Sequence, residues 1–489
     1  MKKFLTVLSI MLLLSNPLSG YSQTFQELAT LNPTIAGSPA LKDDYGNVIH
    51  YNNNYLFVAA PIARPAGKTA SGAIYIYKKD GDNWNYIQTI ITEGTSDHLG
   101  ANTIKAIDDW LFFSASGTPI GPISDDILQN QDFTGSLQIY KRNSSGIYEF
   151  HQAIDKHTPG LENLSIADPA VVSPAPPVVY TAEQGGGLGI GFDVTKNGKL
   201  LLIGAVTQQN TGTENTPLIN SGVVYAFRYT NGEWKLFQTI HNPEEVSAND
   251  TFGGTIKISG KYALISNAFL NVPHLNQNSS VYLYRFKHGL WEFIQKIQGN
   301  QTTALPVFSN SFGGNILLAD NFGSAIAFNG NWAIIGSPFE HLGSGSIKGA
   351  AYLYKLAHVA GQGKQLIFKK KIVSDAPEAL LTGITVALNK KTALVADPVR
   401  TGPEGQIAQG GIMVYQRQAQ DWNKVTNLFT SSGIAFDLFS NGLDVKGSYI
   451  FGGSGGSVSV LFLRLFFSPP FLNVPLPLND QKVVIWKKA

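Results

Sequence analysis

Five aspartates share one position in a repeated motif and could do chemistry together. Each lies two residues before an aromatic residue or a leucine, which is followed in turn by Gly or Ser. The five are Asp43, Asp97, Asp250, Asp320 and Asp437. In the first interpretation, which we prefer, each carboxylate accepts backbone N–H bonds and shapes the start of a strand. In the second, a ring of carboxylates at the mouth of a channel binds a cation or a basic group of a partner.

No other pattern indicates a metal, a cofactor or a reaction. The nine His are scattered, without a pair at metal-ligand spacing, and the absence of Cys excludes a thiolate zinc site and a Cys nucleophile. Glycosidase chemistry needs two carboxyl groups at a set separation, and no spacing in this chain singles out a pair. We also find no nucleophile elbow or phosphate loop. The sequence therefore predicts no cofactor, and it predicts that the chain is not an enzyme.

The aspartates recur because the chain is built from repeats. Seven similar starts stand at Tyr45-Gly46, Leu99-Gly100, Leu188-Gly189, Phe252-Gly253, Phe322-Gly323, Leu381-Thr382 and Phe439-Ser440. Each is followed by short apolar runs separated by turns, which read as strands A to D of one unit. Four antiparallel strands per repeat are the composition of a propeller blade. The predicted fold is therefore an all-β, seven-bladed β-propeller.

The seventh unit has no strand D of its own. Its third strand reads as Val483 to Lys487, after which the chain stops, whereas the segment from Thr24 to Pro33 resembles a strand D with nothing before it. We expect Phe25 to Leu31 to complete the last blade and close the ring, so that the first and last blades share a mixed sheet.

An apolar run from Ser457 to Phe467 leaves three alternatives. It is an added strand or loop packed on the propeller, or the true strand C of the last blade, or an exposed patch for a partner or a membrane surface.

The predicted organisation is a signal peptide followed by one domain. The signal covers residues 1–22, and the propeller covers 23–489, with 23–33 as the closing strand. The blades are placed at about 43–91, 97–155, 183–241, 250–298, 320–373, 379–430 and 437–489, with insertions at 155–184, 298–320 and 454–481.

The predicted turns are of unequal length on the two faces. The A–B and C–D turns are mostly short, and the B–C and D–A connections are long, so almost all the variable length falls on one face. Loops on a rigid scaffold usually carry binding. The candidate partner-binding loops are Pro61 to Ser71, Ser116 to Thr134, Asp155 to Gln184, Val206 to Ser221 and Phe462 to Phe471.

The first residues indicate export. Lys2 and Lys3 precede an apolar run from Phe4 to Leu14, and small residues follow near Ser22, which is the pattern of a secretory signal. We predict an extracellular or outer-surface protein, with the periplasm as the alternative, and no transmembrane segment. The net charge of +2 argues against a nucleic-acid partner, which requires a basic surface. We expect a monomer.

The motif itself resembles a known repeat. An Asp two residues before an aromatic-Gly pair, then two strands ending in Ala60-Pro61 or Gly336-Ser337-Pro338, is similar to the FG-GAP repeat of the integrin α-chain head and its bacterial relatives. The resemblance implies a seven-bladed propeller whose loop-rich face contacts a protein or a glycan. Many members carry a D-x-D-x-D-G calcium loop in the A–B turn. None of the A–B turns here supplies three spaced carboxylates, so calcium is not expected.

These observations favour a secreted binding or adhesion module whose partner is a protein or glycan on a cell surface. Two alternatives remain: a propeller enzyme that acts on polysaccharide through carboxylates of the channel, or a structural subunit of a surface assembly.

Overall fold

The computed structural model describes part of the chain, and every element in that part is a strand. The described residues are 25–32, 44–61, 63, 71–91, 99–115, 135–161, 187–206, 210–211, 217–218, 221–244, 250–268, 279–299, 308–309, 315–316, 320–341, 347–435, 437–454 and 481–488. The predicted signal peptide and the run from Ser457 to Phe467 lie outside them. No helix long and apolar enough to cross a membrane occurs among the described residues.

The strands follow one another through the described part of the chain, and none is longer than ten residues. They are β1 (Phe25–Leu31), β2 (Ile49–Asn52), β3 (Tyr55–Ala60), β4 (Ala73–Asp80), β5 (Asn83–Ile90), β6 (Leu99–Ile107), β7 (Trp110–Ala115), β8 (Ser136–Arg142), β9 (Tyr148–Ile154), β10 (Leu188–Val194), β11 (Leu200–Ala205), β12 (Asn210–Thr211), β13 (Pro217–Leu218), β14 (Val223–Thr230), β15 (Glu233–Ile240), β16 (Ile256–Ser259), β17 (Tyr262–Ser266), β18 (Ser280–Lys287), β19 (Leu290–Gln298), β20 (Phe308–Ser309), β21 (Asn315–Ile316), β22 (Ile326–Asn329), β23 (Trp332–Ser337), β24 (Ala350–Val359), β25 (Gly363–Ile372), β26 (Val386–Leu388), β27 (Thr392–Asp397), β28 (Gly411–Gln418), β29 (Asp421–Leu428), β30 (Gly442–Lys446), β31 (Tyr449–Gly453) and β32 (Val483–Lys488).

Seven four-stranded antiparallel sheets form the blades, and the predicted seven-bladed β-propeller is confirmed. From the innermost strand A to the outermost strand D, the orders of blades 1 to 7 are β2-β3-β4-β5, β6-β7-β8-β9, β10-β11-β14-β15, β16-β17-β18-β19, β22-β23-β24-β25, β26-β27-β28-β29 and β30-β31-β32-β1.

The hydrophobic core is divided into layers between neighbouring blades. The layer between blades 1 and 2, for example, contains Phe57 and Ile76 from one blade and Leu111, Phe113 and Tyr148 from the other. Strand B of a blade packs on both faces, so its side chains are all buried in most blades, as in β3. Such a strand appears in the sequence as a continuous apolar run rather than as an alternating one.

The last blade is closed by the first strand of the chain, as predicted. β1 pairs with β32 from Phe25 opposite Lys488 to Leu31 opposite Val483. The prediction that the first and last blades share this sheet is wrong, because all four of its strands belong to blade 7. The structure also makes β32 strand C of that blade, so the alternative that Ser457 to Phe467 is strand C is wrong.

The aromatic-Gly pairs form a bend that usually precedes the regular part of strand A. The glycine after the aromatic residue has a positive φ, as at Gly253 (100°), which only glycine adopts easily. Its N–H donates to the end of strand B, from Gly253 to Ser266 O at 2.8 Å. In blade 6 the equivalent bond runs from Gly383 to Ala396 O at 2.9 Å. The start predicted at Leu381-Thr382 is therefore one residue early, and the pair is Thr382-Gly383.

Glutamines on the outermost strands tie neighbouring blades together. The side-chain amide of Gln238 in blade 3 donates to Trp291 O at 3.0 Å, and its oxygen accepts from Trp291 N–H at 2.8 Å in blade 4. Gln88 binds Tyr148 in the same two ways. Gln295 does so with Leu366. We call these contacts the glutamine clamps.

Candidate functional site

The innermost strands of all seven blades enclose a central cavity of about 410 Å³. The side chains of each strand A point alternately into the cavity and between the blades. In β2, for example, Ile49 and Tyr51 are buried, whereas His50 faces the cavity.

One residue from each blade occupies the same register position on strand A and lines the cavity. The pairing of strands A and B shows this equivalence, since Lys257 lies opposite Leu264 in blade 4 just as Ala327 lies opposite Ile334 in blade 5. We call these seven residues the inner ring; in blade order they are His50, Lys105, Asp193, Lys257, Ala327, Ala387 and Asp444.

Asp193 and Asp444 hold neighbouring blades together across the ring. Asp193 is buried and accepts the N–H of Ile258 in the next blade at 2.7 Å, and its other oxygen lies 3.0 Å from Lys105 Nζ. Asp444 repeats this arrangement by accepting the N–H of Tyr51 in blade 1 at 2.7 Å. Each aspartate also accepts the N–H of the residue that follows it in the chain. Both carboxylates therefore have several donors already.

His50 is uncharged at neutral pH. Burial lowers its pKa to about 3, and the nearby Lys105 ammonium adds to the shift. Its Nδ1 lies 3.5 Å from Asp444 Oδ2, and its Nε2 lies 3.3 Å from Ala106 O. Burial also raises the pKa of Asp444, against the hydrogen bonds from the N–H groups of Tyr51 and Val445. His50 therefore acts as a polar spacer between Asp444 and Lys105.

Lys257 differs from Lys105 because no hydrogen bond or ion pair joins its ammonium to any described residue. It lines the cavity and is partly buried. Burial lowers its pKa, and the attraction of Asp193 opposes that shift without cancelling it.

Threonines form a second level of the cavity, next to the inner ring. Thr255 Oγ1 donates to Ser324 O of the next blade at 2.9 Å, and Thr385 Oγ1 donates to Asn441 O at 2.7 Å. Thr103 makes a longer contact of 3.5 Å with Ile190 O. These bonds fix the spacing of the innermost strands and leave hydroxyl oxygens at the cavity wall.

The aspartates singled out in the sequence lie elsewhere. Asp43 and Asp97 are outside the described residues, and Asp250, Asp320 and Asp437 do not line the cavity. Their partners are local: Asn242 Nδ2 donates to Asp250 at 3.2 Å, Phe322 N–H donates to Asp320 at 3.2 Å, and Lys482 Nζ lies 3.1 Å from Asp437. No group of three or more His, Asp and Glu side chains in the described part of the chain is placed to hold a metal ion.

Asp320 belongs to a buried cluster in blade 5 that the sequence did not indicate. Burial raises its pKa to about 7, and the nearby Glu340 carboxylate adds to the rise. The Glu340 side chain is fully buried, accepts the Tyr352 hydroxyl and pairs with Lys371. The cluster lies within blade 5, and Asp320 accepts the N–H of Phe322 in the chain ahead of β22.

The candidate partner loops are described only in part. Of the predicted segments, 116–134 and 462–471 lie wholly outside the described residues, and 61–71, 155–184 and 206–221 do so in large part. The described strands that bound these segments end on the B–C and D–A side of the propeller.

The inner ring was not predicted from the sequence. Its members share a position but not a residue type, and most of their strands are only three to five residues long. A usable signal was the alternation within each strand A, where a polar or small residue follows a buried apolar one.

Comparisons with solved structures find other proteins of similar shape. A provisionally named 6-phosphogluconolactonase from Bacteroides fragilis is 10% identical, covers 80% of this chain and 85% of its own, and gives a TM-score of 0.45. A periplasmic gluconolactonase from Pseudomonas aeruginosa is 12% identical over 80% and 86%, with a TM-score of 0.44. The Pan2 WD40 domain of Neurospora crassa is 8% identical over 96% of each chain, with a TM-score of 0.45. No family model and no curated protein matches the sequence.

These names correct one prediction. The expectation that the chain is not an enzyme is wrong as an inference from the fold and the missing motifs, since proteins named as lactonases are among the structures of similar shape. At these identities and TM-scores, however, the likeness gives this chain no reaction, substrate or site.

Proposed function

We propose that this protein is an exported propeller, related to the FG-GAP repeat proteins, that binds a protein or glycan on a cell surface through the face formed by its B–C and D–A connections. The observation that carries the proposal is the division of loop length between the two faces. Every A–B and every described C–D turn leaves two to five residues between strands. The opposite face carries connections such as those from Ile154 to Leu188 and from Gly453 to Val483.

The scaffold supports this proposal because it is built to hold loops in place. Apolar layers join all neighbouring blades, and the glutamine clamps fix several outermost strands at their flanks. A partner that spans several blades would therefore meet connections whose ends are rigidly positioned, which is the usual setting of binding loops.

The proposed relation to FG-GAP repeats is supported by the shape of the motif. The residue before the aromatic also takes a positive φ, 54° at Asn321 and 45° at Thr251, next to the glycine with φ near 100°. These two positive φ values recur at the start of several blades, and they explain why the motif keeps a glycine after the aromatic residue. Export is supported by the charged and apolar pattern of residues 1–22 alone.

The test is partner binding by the purified chain from Gln23 onward, on arrays of glycans and of cell-surface proteins. Replacing Ser116 to Thr134, or Glu162 to Gln184, by a short Gly-Ser linker should weaken binding at least about tenfold, which corresponds to about 1.4 kcal/mol. The matched control inserts the same linker into the exposed A–B turn at Lys446-Gly447 on the other face, and it should leave binding unchanged.

Two results would contradict the proposal. Binding that survives every replacement on the loop-bearing face, but is lost in the turn insertion, would place the partner on the opposite face. Turnover of an arrayed glycan that is lost in Asp193→Asn would make the channel, and not the loops, the functional site.

A further inference from the structure

The central cavity has an uneven distribution of charge. Three ammonium groups line it, from Lys105, Lys257 and Lys446, against the two carboxylates of Asp193 and Asp444. His50 contributes no charge at neutral pH. The side chains that line the cavity therefore carry a net charge of +1.

The excess is localised, because the carboxylates are committed elsewhere. Asp193 has the N–H groups of Val194 and Ile258 and the ammonium of Lys105, and Asp444 has the N–H groups of Tyr51 and Val445. Lys446, which is exposed, donates to Asn52 Oδ1 at 3.3 Å. Lys257 is thus left facing the cavity with no described acceptor. A partly buried ammonium without a partner is costly, and a bound anion would remove that cost.

The two inner-ring positions that follow Lys257 in blade order are small and apolar. Blades 5 and 6, which follow the blade of Lys257, contribute Ala327 and Ala387 to the inner ring. Ala325, two residues before Ala327, also lines the cavity. The missing side-chain volume leaves room beside the ammonium. The cavity volume falls in the range of roughly 300–1,000 Å³ found for small-molecule sites.

We propose that the central cavity binds a small organic carboxylate, whose anionic group pairs with Lys257 and whose apolar part lies against Ala327 and Ala387. This site is separate from the loop-bearing face, and it stands or falls independently of the function proposed above. The order of the inner ring makes the fit directional, because five consecutive blades, 7 and 1 to 4, contribute polar or charged side chains and the other two, 5 and 6, contribute alanines.

The experiment is titration calorimetry of the full mature chain with benzoate, with benzamide as the neutral match and acetate as the anion without an apolar part. Benzoate should bind saturably, and benzamide should bind at least about tenfold more weakly. Lys257→Met should weaken benzoate roughly tenfold to hundredfold, the range of a hydrogen bond to a charged group. Lys257→Arg should retain most of the binding.

Two further variants separate the site from general effects. Lys261→Met, at an exposed position in the adjoining turn, should bind benzoate as the unchanged chain does. Ala327→Leu should weaken benzoate and leave acetate unchanged. Circular dichroism confirms that each variant is folded. The proposal is overturned if benzoate does not bind saturably, if benzamide binds equally well, or if folded Lys257→Met retains full affinity.

Discussion

At the scale of single residues, charge inside this propeller is used mainly to join blades. Asp193 and Asp444 each reach from one innermost strand to a backbone N–H of the next, and Glu340 joins a hydroxyl and an ammonium within blade 5. Buried carboxylates are tolerated where several donors satisfy them. Lys257 is the exception among the cavity residues, and this is why it points to a ligand.

Asp320 gives a prediction about pH. Its pKa is raised to about 7 in the folded protein, chiefly by burial, whereas an unfolded aspartate titrates near its ordinary value of 3.8. Between these values the folded state binds more protons than the unfolded state, so stability should fall as pH rises from about 4 to 7. Asp320→Asn keeps an oxygen for Phe322 N–H but removes the titrating group. Between pH 5 and 8, its free energy of unfolding should therefore fall by about 2–3 kcal/mol less than that of the unchanged chain.

The measurement is urea unfolding of both proteins at pH 5 and pH 8. Asp80→Asn, at an exposed turn, is the control and should follow the unchanged chain. A pH dependence that is identical in all three proteins would show that Asp320 is ionised throughout, and that burial does not govern its titration.

At the scale of strands, the glutamine clamps are a device that recurs at one register position. In each blade, the pairing of strands C and D has a bulge, and one residue of strand D pairs with the strand C residue just before it. In blades 1 to 4 this strand D residue is, in order, Gln88, Gln152, Gln238 and Gln295. In blade 5 the position holds Lys370, which donates to Trp422 O at 2.6 Å. A side-chain amide matches a backbone N–H and C=O pair, so each clamp extends hydrogen bonding from one blade to the next.

Removing one clamp should cost measurable stability. Gln238→Leu leaves the N–H and C=O of Trp291 without their partners, and we expect a loss of about 1–3 kcal/mol in the free energy of unfolding. The control is Thr426→Val, which changes the equivalent position of blade 6, where the side chain does not bridge blades. It should stay within about 0.5 kcal/mol. Equal effects of the two substitutions in urea unfolding would refute a specific role of the clamp.

Much of the strand arrangement could be predicted from the sequence, and the reasons are local. Apolar runs such as Tyr55 to Ala60, and turns such as Asn231-Gly232, carry their structure in residue type. The motif of blade 6 is predicted one residue early because Thr382 replaces the aromatic residue, and the positive φ of Gly383 and its hydrogen bond to Ala396 O reveal the register.

The inner ring and the clamps were not predicted from the sequence for a different reason. Both depend on which residues of separate blades reach the same level, and this is set by bulges such as the register shift between Leu99 and Ile104. Residue types then vary freely, from Asp193 to Ala327, at one position. A comparison of repeats by residue type therefore aligns the core residues but does not identify the residues that line the cavity.

At the scale of the whole molecule, the ring depends on the pairing of β1 with β32. Phe25, Ala29 and Leu31 of β1 pack on the apolar layers that flank blade 7. Deleting residues 24–31 should therefore expose both layers and lower the free energy of unfolding by on the order of 5 kcal/mol, comparable with the whole stability of many domains. Urea unfolding followed by tryptophan fluorescence measures the loss.

A peptide of residues 23–33 provides the matching test. Added to the shortened chain, it should restore stability in a concentration-dependent way, and a scrambled peptide should not. A shortened chain as stable as the full one would show that β1 does not close the ring.

The antiparallel pairing of β1 with β32 has a mechanical consequence. Phe25 and Lys488 lie side by side at one end of the pair, and Leu31 and Val483 lie at the other. Tension applied between Phe25 and Lys488 would open this zipper one residue pair at a time, instead of shearing all its hydrogen bonds at once. A molecule anchored through these two points would thus yield first in blade 7, under a small force, while the pairing within blades 1 to 6 stayed unloaded.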